Sequence, residues 1–431
     1  MINRDILIRL IRDFQEKKLP EILKRDISID INTRLKRVIT LVGPRRSGKS
    51  FLMFQLIEEL LANKTEKNRI LFINFENDLL VGCDAVDLRN LLDLFYEMTP
   101  DNKNNKVFLF FDEIQNVSGW ERFVRTIIDS ENAQVIISGS SSKLLSKEVA
   151  TSLRGRALVY YVYPFSFYEF ITAKNFKPPK YLSSSEKARM LNLLGQYLKG
   201  SYPEAVLFEE QRDKILSDIL DVVVYKDVIE RFGVKNQKLL RLLLKALINS
   251  KYVSVHKFYN FIKSIGIKAS KNTLYTYLSY LLDSMVVFTL HKYSKSYKEL
   301  EQTVAKTYFS DSGMLYVNGI DDIGRVMENA VFLQLLRMGV TLDRELFYFS
   351  DVSSEIDFCI KHGRAVTQLI QVCYDTSNLE TKDRELKALL SSSKKLTCNN
   401  LLVITWDYEA EEKIKGKKIK FIPLWKWLLN I

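Results

Sequence analysis

Residues Gly43 to Ser50 read GPRRSGKS, between an apolar run (Val38-Ile-Thr-Leu-Val42) and a second, periodic one (Phe51-Leu-Met-Phe-Gln-Leu-Ile57). The spacing G-x-x-x-x-G-K-[ST] between a strand and a helix constrains the chain more than any other feature. Its glycines allow backbone angles that a side chain forbids, so successive N–H groups can turn inward at phosphate oxygens. The following helix aims its positive end at the same point. The pattern predicts a parallel α/β sheet and a nucleoside triphosphate cradle formed by Gly43, Pro44, Arg45, Arg46, Ser47, Gly48, Lys49 and Ser50. Lys49 is expected on the β- and γ-phosphates and the Ser50 hydroxyl on Mg²⁺. Of the two loop arginines, one is expected to face the nucleotide and the other a protein carboxylate or a partner surface.

A metal in such a cradle needs a carboxylate. Lys106-Val-Phe-Leu-Phe-Phe-Asp-Glu-Ile114 is a continuous apolar run ending in Asp112-Glu113. A strand buried in a parallel sheet reads this way, with its ligand site at the carboxyl end. Asp112 is the candidate metal anchor and Glu113 the candidate general base on the attacking water. The paired acids point to ATP hydrolysis, and the sequence has no N-K-x-D guanine-reading stretch. A third strand, Gln134-Val-Ile-Ile-Ser-Gly-Ser140, is expected between these two and offers Ser140 as a γ-phosphate sensor, with Ser138 as the alternative. Ser152-Leu-Arg-Gly-Arg156 precedes a further strand. Arg156, ahead of Arg154, is the candidate arginine finger toward a neighbouring subunit, which implies a homo-oligomer. Either arginine reads equally well as a surface cation.

The order GPRRSGKS, Ile73-Asn-Phe-Glu, FFDEIQNVSGWERFVR, ISGSSSKLL, SLRGR and YPFSFYEF closely resembles a family of archaeal and bacterial AAA-type ATPases with a C-terminal domain of uncharacterised function. The resemblance runs over nearly the whole chain. It implies a P-loop NTPase sheet of the additional-strand, catalytic-glutamate type, with ATP as the nucleotide. It also implies a small helical lid, where Gly200-Ser-Tyr-Pro-Glu204 is similar to a recurring turn.

The 431 residues, 47% of them hydrophobic, suffice for two or three domains. No apolar run approaches the ~20 residues of a membrane span. The N-terminal MINRDILIRLIRDF is too charged for a signal peptide, and the four cysteines form no C-x-x-C pair. A cytoplasmic protein without a membrane anchor is the expectation. The net charge of +12 is concentrated: from Lys235 to Lys298 there are twelve Lys and Arg residues against one acid, Asp283. Such a patch is the usual footprint of nucleic-acid binding, although a solvated lysine-rich surface reads the same.

Within that segment Lys238 to Ile248 reads as a helix, and Val255, Phe258, Ile262 and Ile265 recur at helical spacing before the turn at Gly266. Ser270 can cap a third helix with Leu274, Leu278, Leu281 and Leu282 on one face. A ribbon from Met285 to His291 follows, which completes a winged helix-turn-helix plan. Lys268, Lys271, Asn272, Tyr275 and Thr276 are the candidates for contact with double-stranded DNA. Winged helices also serve as packing modules.

From about Val304 the chain reads α/β, with Glu328 on a helix, a hairpin Leu346–Ile360 and a strand from Gln368. This resembles the PD-(D/E)xK nuclease fold. Asp357 matches the hairpin acid and Glu328 a helix acid, while Gln371 stands in for the second acid and Cys373 for the lysine. A thiol cannot replace that lost charge, so the resemblance implies a degenerate nuclease kept for binding or structure. Glu355 and Asp357 share one strand face, which leaves weak metal binding open. The expected division is an ATPase core at 1–165, a helical lid at 166–235, a winged helix-turn-helix at 236–303 and a PD-(D/E)xK-like domain at 304–431. Three functions stay open: an ATPase acting on DNA, an ATP-gated nuclease, and an ATPase switch on a protein partner.

Overall fold

The strands β1 (Val38–Val42), β2 (Ile70–Asn74), β3 (Val107–Asp112), β4 (Ala133–Gly139) and β5 (Ala157–Tyr161) form one sheet in the order β2-β3-β4-β1-β5. Every pair is parallel. β1 and β3 are buried at every position, which is why their sequences are unbroken apolar runs rather than alternating ones. β4 lies between them, with Ile136 opposite Ile39 on one side and Phe110 on the other. Helices α1 (Arg4–Glu16), α2 (Lys49–Ala62), α3 (Ala85–Met98) and α4 (Trp120–Ser130) accompany the sheet. Leu52, Met53 and Leu56 of α2 join Ile39, Leu41, Phe108 and Phe110 in one buried cluster. This computed structural model describes residues 2–33, 35–139, 153, 155–294, 303–352 and 354–430. They fall into two units, Met1–Tyr163 and Pro164–Ile431.

The second unit opens with helices Phe167–Ala173, Ser184–Leu198, Pro203–Leu207 and Arg212–Val222. Ser166 with Glu169, and Ser183 with Glu186, form reciprocal capping boxes. Arg212–Val222 continues as a π-helical stretch, Val223–Glu230.

Three helices follow, Gln237–Asn249, Val255–Ser264 and Lys271–Asp283. Ser270 accepts the Thr273 N–H and caps the third. Two details differ from the periodicity. Ile265 is 50% exposed, because the helix stops at Ser264 and Gly266 turns the chain at φ 78°. On the third helix Tyr277 joins Leu274 and Leu281 in the buried stripe, while Leu278 and Leu282 are only half-buried. The strands β6 (Tyr252–Val253), β7 (Val287–Leu290) and β8 (Ala305–Phe309) form an antiparallel sheet in the order β6-β8-β7. Its middle strand lies beyond residue 303, in the segment assigned from sequence to the last domain.

The remaining strands are β9 (Leu346–Ser350), β10 (Glu355–His362), β11 (Ala365–Cys373), β12 (Leu401–Thr405), β13 (Ala410–Ile414) and β14 (Lys417–Pro423). They form one mixed sheet, β13-β14-β12-β11-β10-β9, parallel from β11 through β12 to β14. The helix Leu379–Leu396 makes the crossover from β11 to β12, and the helix Ile323–Arg337 is buried along most of its length. All four cysteines are buried and free. Among the described residues no helix is long and apolar enough to cross a membrane.

Candidate nucleotide site and a second charged cluster

The turn after β1 is built where sterics leave few choices. A Cβ on Gly43 would meet the Val162 carbonyl oxygen at 2.0 Å, and Gly48 sits at φ 97°. Arg46 also takes the left-handed region, φ 62°, a conformation costing a non-glycine about 1–2 kcal/mol. Arg25 holds the loop from outside. Its guanidinium is buried and donates to the carbonyls of Ser47 at 2.8 Å and Tyr163 at 2.7 Å. Nothing local in the sequence signals that role, since its partners lie 22 and 138 residues away.

Lys49 opens α2, only 4% exposed, and its ammonium donates to the carbonyls of Gly43 at 3.2 Å and Pro44 at 3.3 Å. Ser50 donates to Asp112 Oδ2 at 2.6 Å, and Ser138 donates to Asp112 Oδ1. Burial and the neighbouring Glu113 raise the Asp112 carboxyl above its usual range, against the pull of these two hydroxyls and Lys49. Glu113 follows at φ 53°, a second left-handed non-glycine, with its N–H donated to Ser138 Oγ at 3.0 Å. Its Oε1 lies 3.5 Å from Lys49 Nζ, and Gln115 donates to its Oε2. Burial pushes the Glu113 carboxyl up, but Lys49, Gln115 and Arg45 together hold it below the ordinary glutamate value. Loop, strand-end acids and the β4 serine thus form one connected network. Its oxygen donors, Ser50 and Asp112, are of the hard type that suits Mg²⁺.

Arg45 forms an ion pair with Glu76 at 2.8 Å, whereas Arg46 is exposed. Ser140 and Arg154 lie outside the described residues. Arg156 is among the described residues. It immediately precedes β5 and its carbonyl accepts the Val38 N–H, so it lies at the amino edge of a parallel sheet whose loop lies at the carboxyl edge. Five strand residues separate those edges, about 16 Å. There Arg156 pairs with Asp129 at 2.5 Å, and the fold does not bring it to the loop of its own chain.

On the helix Lys271–Asp283, Lys271, Asn272, Tyr275 and Thr276 are all exposed, opposite the buried Leu274, Tyr277 and Leu281. Lys268 is exposed in the preceding turn. Lys271 Nζ lies 2.9 Å from His256 Nδ1 and 5.4 Å from the centre of the Tyr259 ring.

The last sheet gathers a second set of charges. Glu328, Glu355, Asp357 and Gln371 line one cavity of about 1000 Å³. Asp357 Oδ2 accepts the Val372 N–H at 3.0 Å, and Gln371 accepts the Asp357 N–H and donates to Glu385. Cys373 is buried, with burial pushing its thiol up to about 11. Sequence reasoning missed the cations of this cluster. Lys306, fully buried on β8, is 2.8 Å from Asp357, 2.9 Å from Glu355 and 3.0 Å from Glu328. Lys251 is 2.7 Å from Glu328 and 3.4 Å from Asp357. The available signal was a lysine inside the otherwise uncharged strand Ala305-Lys-Thr-Tyr-Phe309, since a lysine fully buried in a strand must be paired. Among the described residues, no group of three or more His, Cys, Asp or Glu is arranged to hold a metal ion.

A family model described as an AAA domain matches residues 35–171, and a domain of unknown function matches residues 191–323. The uncharacterized protein MJ1544 of Methanocaldococcus jannaschii is 38% identical over 100% of this chain and 97% of its own length. An uncharacterized protein of Haemophilus influenzae is 30% identical over 89% of this chain and 92% of its own. Among solved structures, the Aeropyrum pernix Orc1 protein in complex with DNA is 11% identical, covering 76% of this chain and 94% of its own. The TM-score is 0.33. With these two full-length relatives the chain belongs to one family, and it carries an AAA domain followed by a domain of unknown function.

Proposed function

We propose that the chain binds ATP with Mg²⁺ at Gly43–Ser50, hydrolyses it, and couples turnover to double-stranded DNA. The observation that carries the first part is the Ser50–Asp112 hydrogen bond of 2.6 Å. It brings the loop hydroxyl and the strand-end carboxylate together, and these are the two groups that would hold a Mg²⁺ ion. The ion, when bound, neutralises charge on the β- and γ-phosphates. The chain's own groups do the rest. The loop N–H groups and the N-terminus of α2 orient the phosphates. Lys49 exchanges its carbonyl partners for phosphate oxygens. Glu113, held low enough to be ionised at neutral pH, accepts the proton of the attacking water on its carboxylate. Ser138 bridges Asp112 and Glu113, and so acts as a positioning residue for both acids.

The DNA part is supported by the twelve bases between Lys235 and Lys298 and by the exposed Lys268, Lys271, Asn272 and Tyr275 on and beside one helix. Helix, helix, turn, helix and an antiparallel ribbon is the order a winged helix uses to present its third helix to a groove.

The test is an ATPase assay with and without duplex DNA, alongside two variants. Lys49→Ala should abolish nucleotide binding. Glu113→Gln should bind ATP and hydrolyse it at least ~10²-fold more slowly, the usual cost of losing a general base. Wild-type protein that neither binds nor turns over ATP refutes the reading. Turnover indifferent to DNA at low salt refutes the coupling and favours a protein partner.

A further inference from the structure

We infer that Lys306 supplies, from within the chain, the positive charge that the acid cluster of the last sheet would otherwise take from a divalent cation, so this cleft operates without a metal. The inference does not depend on the ATPase reading. It turns on how the residues implied by the nuclease-like resemblance are occupied.

A lysine ammonium has three N–H donors and no acceptor. Lys306 has three carboxylate oxygens at 2.8, 2.9 and 3.0 Å, one each from Asp357, Glu355 and Glu328. The contacts with Glu328 and Asp357 are hydrogen bonds and the one with Glu355 is an ion pair, so the nitrogen stands among all three carboxylates. That is where a cation ligated by Glu328, Glu355 and Asp357 would have to sit. The side chain is fully buried, so it has no solvent-exposed position to retreat to without moving β8. Tyr308, two residues along the same strand face, donates to Glu328 Oε1 at 2.6 Å and fixes that carboxylate in turn.

Charge gives the same answer as geometry. Three carboxylates would attract a divalent ion strongly. With Lys306 and Lys251 among them, the five groups carry a single net negative charge. A metal would have to expel a buried ammonium from three partners and leave it unpaired, which is among the costliest states for a buried group. Two further features agree. Gln371, where the fold expects an acid, uses its oxygen on the Asp357 N–H and its amide on Glu385. Cys373, where it expects the lysine, is a buried thiol. Lys306 therefore does not restore the lost lysine of a metal-dependent site. It takes the place of the metal.

The experiment uses the full chain, nucleotide-free and stripped of metal, titrated with Mn²⁺ and read by electron paramagnetic resonance and by Tm. Asp357→Asn separates this cluster from any weak site at Ser50 and Asp112. Wild type should show no Mn²⁺ binding that Asp357→Asn removes, up to millimolar Mn²⁺, and no Asp357-dependent cleavage of duplex or single-stranded DNA with Mg²⁺ or Mn²⁺. Lys306→Met should lower Tm and gain a cation site. Millimolar Mn²⁺ should then raise its Tm by about 3 °C or more, and adding Asp357→Asn should abolish the gain. Should Lys306→Met fail to fold, Lys306→Met with Glu328→Gln removes one of the uncompensated carboxylates and should show the same gain. An Asp357-dependent Mn²⁺ site or cleavage activity in wild type overturns the inference. So does a folded Lys306 variant with no Asp357-dependent gain. The wild-type titration stands without any Lys306 variant.

Discussion

Arg45 and Arg46 are adjacent in the chain and differently employed. Arg45 is paired with Glu76 and its charge also reaches Glu113, while Arg46 is exposed and takes a left-handed backbone. The Arg45–Glu76 pair is partly exposed and contributes little to stability. Its effect should appear in the titration of Glu113. Because Arg45 helps to hold that carboxyl down, Arg45→Ala should raise its pKa and move the acid limb of kcat/KM to higher pH relative to wild type. An unmoved limb would leave Arg45 with no electrostatic part in the site. Arg46→Gly should raise stability by about 1 kcal/mol, read by chemical denaturation, whereas a β-branched residue should lower it. The loop and the acids Asp112 and Glu113 were legible in the sequence because each group occupies one contiguous stretch. Arg25, Gln115 and Lys306 were not. Arg25 and Lys306 act over long sequence separations, and Gln115 matters only because Glu113 turns back toward it at φ 53°.

The element scale shows what periodicity can and cannot carry. The three helices from Gln237 to Asp283 follow from apolar spacing and from the capping residues Ser254 and Ser270. The ribbon did not follow as a whole. β7 is visible as an apolar run, but its partner β8 comes after a polar, charged stretch. Pairing between strands leaves no local periodic mark. On the helix Lys271–Asp283 and the turn before it, Lys268→Ala and Lys271→Ala should each weaken duplex binding across all sequences and lower the salt slope by roughly one. Asn272→Ala should instead change sequence preference with the slope intact. Fluorescence anisotropy over a salt series distinguishes these outcomes. Equal slopes in all variants would remove this helix from the interface. The substitutions lie on an exposed face, so stability should change by less than about 0.5 kcal/mol.

At the scale of the whole molecule, the buried charges of the second unit set a pH signature. Burial pushes the Asp357 carboxyl up, but Lys306 and Lys251 pull it far below the usual aspartate range. A carboxyl depressed in the folded state contributes stability that is fully present above its unfolded value, about pH 4, and is lost as pH falls toward the folded value. The stability gap between wild type and Asp357→Asn should therefore be widest from neutral pH down to about 4 and close below it. Lys306 works at the other end. Asp357 and Glu328 outweigh burial and hold its pKa well above the usual lysine value, so its contribution is complete below about pH 10 and fails only on passing the raised folded value. Denaturant titrations across pH measure both limbs, and a gap independent of pH would show that Asp357 is not held by these lysines.

β8 has two occupations at once: it is the middle strand of the three-stranded ribbon, and it delivers Lys306 and Tyr308 to Glu328. A chain ended at residue 303 would keep β6 and β7 with no strand between them, and a fragment begun later than β8 would leave Glu328, Glu355 and Asp357 without the Lys306 ammonium. Neither piece is a viable inheritance. The ribbon and the last sheet can pass from one gene to another only as a single cassette. Recombination that spares this protein should therefore respect the seam near residue 163 and avoid breaks near residue 303.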